Sequence, residues 1–204
     1  MRFQSILGSG LLIALAACSG LRSKAEPDHM YLLRAAAPAP GPAAMPGVLV
    51  VLRPTVQPGL DTDRIMLTRA GQELDQFAAS RWGESLQHVI AALAVQSLAG
   101  GGGFANVVES GSAAVASNYE LLLTVRHFEA AYDAGATPEI HVAFECVLTA
   151  GTPRRVLGRC DATANEPVGE NRMAAIVAAM ERAAQRALAE VRTGAVAAAR
   201  AAGK

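Results

Sequence analysis

The sequence predicts an α/β (α+β) fold: a mixed β-sheet of about six strands with two principal amphipathic helices packed on it. Three observations predict it. Several short runs are β-branched or alternate apolar and polar residues, two stretches repeat apolar residues at helical spacing, and the order is strands, hairpin, helix, long strand, hairpin, helix. Hydrophobic residues form 51% of the 204-residue chain but aromatics only 4%, and much of the remainder is alanine, so the core is expected to be tight and built from small side chains. Lys and Arg number 18 against 18 Asp and Glu, with no basic stripe, which argues against a nucleic-acid partner.

The first 18 residues read as an export segment. Arg2 precedes an apolar run from Ile6 to Ala17 that is too short to span a bilayer as a helix. The run ends in Leu15, Ala16, Ala17, Cys18, a lipobox: a branched residue, two small residues for a narrow protease subsite, and a thiol that can be alkylated by diacylglycerol. Residues 1–17 are therefore expected to be a lipoprotein signal peptide and Cys18 the lipidation site. Two or three acyl chains on Cys18 make a lasting anchor where one is marginal. Residues 18–28 are polar and without periodicity, and act as an acylated tether reaching roughly 35 Å when extended.

The folded domain is expected over 29–194. Met30 to Leu33 is a short strand, and the prolines at 38, 40, 42 and 46 make the next stretch an extended surface loop. Gly47 to Arg53 is an apolar strand that Pro54 stops. Thr55 to Asp63 is turn-rich, and Arg64–Arg69 with Glu73–Ala79 form a hairpin about Ala70 and Gly71. Ser80, Arg81 and Trp82 mark the change to helical spacing. Leu86, Val89, Ile90, Leu93 and Leu98 then share one face of a helix from about Gly83 to Leu98, ended by the glycines at 100–103. A loop containing Val107 and Val108 leads to a long strand, Tyr119 to Ala131, and a hairpin of Ile140–Thr149 and Arg154–Ala164 about Gly151, Thr152 and Pro153. A second helix follows Pro167 and Gly169, with Met173, Ile176, Val177, Met180, Ala184, Leu188 and Val191 on its apolar face and an end near Gly194. Residues 195–204 are an alanine-rich tail with nothing large to bury, able to fray or to pack on a partner.

Cys146 and Cys160 lie on the two strands of the last hairpin, in a chain whose leader predicts a compartment that permits disulfides. Two arrangements fit them: a bridge across the hairpin, or two buried thiols, since Cys146 alternates with Val142, Phe144 and Leu148. No histidine at ligand spacing accompanies them, so no metal site is expected. His29, His88, His127 and His141 are scattered and read as surface or structural residues. The chain has no GxSxG, HExxH or P-loop motif, and the glycines at 100–103 follow a helix instead of opening one, so neither an enzyme nor a cofactor is expected. Arg81 and Trp82 are the candidate partner-contact pair, because both residue types are enriched at protein interfaces. Alternatively Trp82 caps the core while Arg81 stays solvated.

Tyr31, Leu32, Leu33, the β-branched strand ending at Pro54, then Leu60, Asp61, Arg64 and Ile65, then Arg81 and Trp82 opening a helix, resemble the ABC-type transport auxiliary lipoprotein family, whose best-known kind is the Pqi-type lipoprotein. Tyr119, Leu121, Phe128 and Glu129 in the long strand are similar to that family's second half. The resemblance implies a non-enzymatic lipoprotein held at the outer membrane by its lipid anchor and facing the periplasm. Its implied partners are a periplasmic mammalian-cell-entry (MCE) domain protein and that protein's ABC permease and ATPase, in a lipid transport system. Some relatives form rings, so a homo-oligomeric ring is compatible with it. Two other classes fit the residues themselves: a lipoprotein that carries lipid directly, and one that assists assembly of outer-membrane proteins.

Overall fold

The structure, a computed structural model, describes residues 27–37, 43–99, 102–112, 117–133, 135–150 and 154–203. Cys18, the signal segment before it, most of the tether, Pro38, Pro40 and Pro42, Gly100 and Gly101, and the turn residues Gly151, Thr152 and Pro153 lie outside the described residues. Among those described, the elements are β1 (His29–Tyr31), β2 (Met45–Val51), β3 (Thr55–Val56), β4 (Arg64–Arg69), β5 (Glu73–Trp82), α1 (Leu86–Leu98), β6 (Phe104–Glu109), β7 (Tyr119–Tyr132), β8 (Glu139–Ala150), β9 (Arg155–Pro167) and α2 (Met173–Ala202).

The class is mixed α and β as the sequence predicts, but the sheet has nine strands in place of the expected six or so. Two of the additional strands occupy segments that read as turn and loop. Pro54 explains one of them. It has no N–H to give the ladder, so the chain beside β7 is split into β2 and β3 without leaving its neighbour. Leu52 N still donates to Leu121 O at 2.8 Å, and Gln57 N to Val125 O at 3.0 Å. The other, β6, pairs in parallel with β2 from Met45↔Phe104 to Val51↔Glu109. Its exposure follows no alternation, so backbone pairing holds it and the side-chain pattern carries no signal.

Strand β7 is the spine. One of its edges takes β8 antiparallel from Tyr119↔Ala150 to Ala131↔Glu139, with a bulge between Val125 and His127. Its other edge is shared by three parallel partners: β2 at Leu49–Val51, β3 at Thr55–Val56 and β4 at Leu67–Arg69. The sheet continues outward from β8 to β9, from β2 to β6, and from β4 through β5 to β1. Three residues, Ala70, Gly71 and Gln72, join β4 to β5; Gln72 N donates to Arg69 O at 3.2 Å, and Ala70 at φ 49° and Gly71 at φ 68° are the left-handed pair at the centre of that turn.

One face of the sheet is buried under the helices. Leu121, Leu123, Val125, Phe128 and Ala130 of β7, and Ile140, Val142, Phe144, Cys146 and Leu148 of β8, belong to a single core with Ile90, Leu93 and Ala94 of α1 and Met180, Ala184 and Leu188 of α2. Burying a side chain such as Leu or Phe contributes about 1.5–3 kcal/mol, so this layer supplies most of the driving force. Trp82 packs edge-on to Phe128 at 6.1 Å between ring centroids, and Phe128 stacks on Phe144 at 6.5 Å.

Two boundaries differ from expectation. Arg81 and Trp82 do not open a helix: they are the last residues of β5, and α1 starts at Leu86. Pairing of Met30↔Arg81 and Tyr31↔Trp82 with β1 extends the strand past the point where apolar spacing changes. The second helix does not end near Gly194 either. It runs to Ala202 and buries Ala195, Val196 and Ala199, so residues 195–202 continue the packed helix. Gly194 is there for contact: a Cβ on it would lie 3.0 Å from Cys160 Cβ, and one on Gly158 would lie 2.7 Å from Ala198 Cβ. Two glycines, one on each partner, let α2 settle onto β9.

Cys146 and Cys160 are directly opposite each other in the β8–β9 ladder and bridged, with Cα atoms 5.0 Å apart. A crosslink between residues separated by 14 positions restricts the unfolded chain by about 3 kcal/mol. It lies against Gly194 of α2.

Candidate docking face

The surface that best fits a partner-contact role begins where the chain enters the domain. Alternation in Met30, Tyr31, Leu32 and Leu33 sends Tyr31 and Leu33 against the core and leaves Met30 63% and Leu32 69% exposed. The continuous apolar run hides this division, because a strand covered on both faces reads the same way.

Residues 28–34 form a strap tied down at both ends. At its start, Arg64 Nη1 donates to Asp28 Oδ2 at 2.9 Å; next to it Arg81 Nη1 donates to Asp63 Oδ2 at 3.2 Å, which ties β5 to the segment before β4. Between them the β1–β5 ladder runs from His29↔Ser80 to Tyr31↔Trp82. At its far end, Arg34 N donates to Glu181 Oε2, and Gln185 Nε2 donates to Arg34 O, both at 2.8 Å, which joins the strap to α2. These pairs are partly exposed, so each contributes well under 1 kcal/mol; the ladder and Tyr31 hold the strap, and the ions fix its direction.

An open groove of about 680 Å³ lies between the strap and the outer side of α1, lined by Leu32, Leu33, Val89, Ala92 and Leu93, with Glu84, His88, Gln96 and Glu109 around it. Val89 lines this groove and is only partly buried, whereas the sequence placed it on the core face with Leu86 and Ile90. The groove was not legible from the sequence. The signal present was the breadth of the apolar face on α1, wider than one packed stripe needs.

Of the candidate contact pair, Trp82 is 1% exposed and locked in the core, while the Arg81 side chain remains 38% exposed beside Met30, with Nη2 3.6 Å from Met30 Sδ. Of this pair only Arg81 has side-chain surface left for a contact. Arg81 Nε is buried without a hydrogen-bond partner within the chain. Cys18 lies outside the described residues. Cys146 and Cys160 are distant from the strap, under α2.

His88 Nδ1 is 3.0 Å from Ser85 Oγ at the start of α1, a local contact. Among the described residues, no three His, Cys, Asp or Glu side chains gather as a metal site, and no helix is long and apolar enough to cross a membrane. An exposed apolar groove with a polar rim, bounded by a fixed strap, is suited to binding another surface.

A family model for the ABC-type transport auxiliary lipoprotein component matches residues 31–192. The chain is similar in fold to the crystal structure of protein XCC0632 from Xanthomonas campestris, with a TM-score of 0.75 and 22% identity, covering 86% of this chain and 99% of that one. A second crystal structure, of an uncharacterized protein, aligns with a TM-score of 0.65 and 14% identity over 82% of this chain and 98% of that one. The hypothetical protein CT253 from Chlamydia trachomatis aligns with a TM-score of 0.51 and 9% identity over 75% of this chain and 99% of that one. No curated protein matches the chain.

Proposed function

The chain belongs to the ABC-type transport auxiliary lipoprotein component family, and from that membership we propose that it is the outer-membrane-anchored, periplasm-facing subunit of an MCE-type lipid transport system. In this reading Cys18 is acylated and fixes one end of the tether in the outer membrane, while the domain docks the periplasmic MCE protein, itself served by an ABC permease and ATPase. The observation that carries it is the family match over 31–192 directly behind a lipobox ending at Cys18.

The strap supports a mechanical part for the domain. A load on the tether enters at Asp28 and passes through the β1–β5 ladder into the sheet, so the groove beside the strap keeps its position relative to the anchor. Met30, Leu32 and Arg81 are the contacts this reading assigns to the MCE protein. A ring of copies would present several such grooves to one conduit.

Cys18→Ala tests the anchor. The variant should be exported and folded, as judged by an unchanged unfolding transition, but released from the membrane fraction and unable to support transport. Full retention would defeat the proposal. The open groove favours a second reading, a lipoprotein that carries lipid directly; lipid co-purifying with the acyl-free domain, in the absence of any MCE partner, would select it.

A further inference from the structure

Strand β9 ends the sheet on one side. Its ladder partner is β8, and among the described residues no strand pairs with its other edge. Pro167 shows which backbone groups face that open edge. It has no N–H, so its pair with Glu139 is not a hydrogen-bonded one, and Val168 N donates instead to Pro138 O at 3.1 Å. Antiparallel alternation then turns the N–H and C=O of Cys160, Ala162 and Ala164 toward β8, and those of Arg159, Asp161, Thr163 and Asn165 outward. The contact from Arg186 Nη2 to Asn165 O at 2.8 Å agrees with this parity and closes only that end of the edge.

An open edge is a template for another strand unless its side chains forbid pairing. Arg159 and Asp161 project from the sheet face opposite the buried Ala162 and Ala164, both are exposed, and among the described residues neither forms an ion pair. Asp161 stands directly opposite Glu145 in the ladder, and the carboxylate of Glu145 is already held by Arg126 at 2.7 and 2.8 Å. Like charges directly opposite destabilise a strand pair. Asp161 therefore faces an acid and lacks a cation.

We propose that this edge pairs antiparallel with β9 of a second copy of the chain, about a two-fold axis between Cys160 and the partner's Cys160. In that register Arg159 lies opposite the partner's Asp161, and Asp161 opposite the partner's Arg159. Each of these pairs exchanges two backbone hydrogen bonds through the outward groups and sets opposite charges side by side. The charges also fix the register: a slip of two residues one way sets Arg159 opposite the partner's Arg159, and the other way sets Asp161 opposite the partner's Asp161. A slip of one residue moves every side chain to the wrong face. On the helix side Gly158 meets the partner's Ala162, and α2 touches this stretch through Gly194 and Ala198, so small residues line the approach. Val156, 52% exposed, lies just beyond the paired stretch. The contact is isologous and closes at two copies; its small size makes it a weak dimer. It does not rest on the transport reading, and it lies at the edge of the sheet, apart from the groove beside the strap.

The test is sedimentation velocity of the full chain, expressed with its own leader and purified in dodecyl maltoside, over a range of micromolar concentrations. A reversible dimer is expected. Arg159→Asp and Asp161→Arg should each raise its dissociation constant at least about tenfold, because each sets like charges opposite one another twice. The exchanged pair, Arg159→Asp with Asp161→Arg, should return it to within about threefold of the original. A second measurement needs no variant: hydrogen exchange at the amides of Arg159 and Asp161 should slow as concentration rises. A monomer at every concentration, an exchanged pair no better than the single variants, an oligomer that the single variants leave intact, or exchange at these amides independent of concentration would overturn the proposal.

Discussion

Glu166 on β9 receives Arg182 Nε at 2.7 Å and pairs with Arg186, so one carboxylate clasps two successive turns of α2. Hydrogen bonds from Arg182 and then Arg186 hold its carboxyl below the usual carboxylate range, against the opposing effect of burial. A depressed folded pKa means the ionised form is favoured in the fold. The contribution is therefore complete above the unfolded value, about 4.3, and is lost as pH falls through the lower folded value. We expect Glu166→Gln to lower stability at neutral pH by about 1 kcal/mol, discounting for the half-exposed arginines. The difference should shrink below about pH 4, as read by chemical denaturation at several pH values; a constant difference would contradict the assignment. None of this clasp is legible in the sequence, which shows Glu166, Arg182 and Arg186 only as separate charges. Their pairing depends on how α2 lies across β9, which spacing alone does not encode. Trp82 shows the opposite case. Its position near the apolar face of Leu86 and Leu93 pointed to the core, and it is buried there.

At the scale of elements, the seat of α2 on β9 is the feature most open to a decisive substitution. Gly158→Ala places a methyl 2.7 Å from Ala198 Cβ, which sits on helix backbone and cannot rotate away. The helix must shift, and a cost of about 1–3 kcal/mol follows. Ala198→Gly alone should cost about 1 kcal/mol through helix propensity. Combined with Gly158→Ala it should recover part of the loss, giving a favourable coupling in a double-mutant cycle measured by urea unfolding. Strict additivity would mean that the two sites do not touch. Elements with strong periodicity were legible: β7, the β8–β9 hairpin and α1 follow the patterns of Tyr119–Ala131, Ile140–Thr149 with Arg154–Ala164, and about Gly83 to Leu98, α1 starting three residues later at Leu86. What spacing could not supply was pairing. Ladder contacts to β1 carry β5 through Trp82, β6 rests on backbone bonds to β2, and Gly194 reads as a stop unless the approach of Cys160 is known.

For the whole molecule, a nine-stranded sheet built about the long strand β7 leaves two concave surfaces among the described residues. The helix side carries the groove beside the strap, and the far side carries a polar pocket lined in part by Glu129. The lipobox, the class and the family are legible in the amino-acid sequence, because signal chemistry and strand order are written locally. The groove and strap are not, since they arise from segments more than 50 residues apart, such as Met30 and Arg81. In the proposed reading the domain is held at one end by an anchor and offers a fixed surface beyond it, so that it supplies position to its partner. The most direct measurement is in-cell crosslinking of the native, acylated protein, followed by mass spectrometry of what it captures, alongside Leu32→Glu, which alters an exposed groove residue without touching the core. The account predicts recovery of an MCE-domain protein together with its permease, and a marked loss of that capture in the variant. Capture of outer-membrane β-barrel or assembly proteins alone would contradict it, leaving the fold and the lipobox reading in place but assigning the protein to outer-membrane assembly.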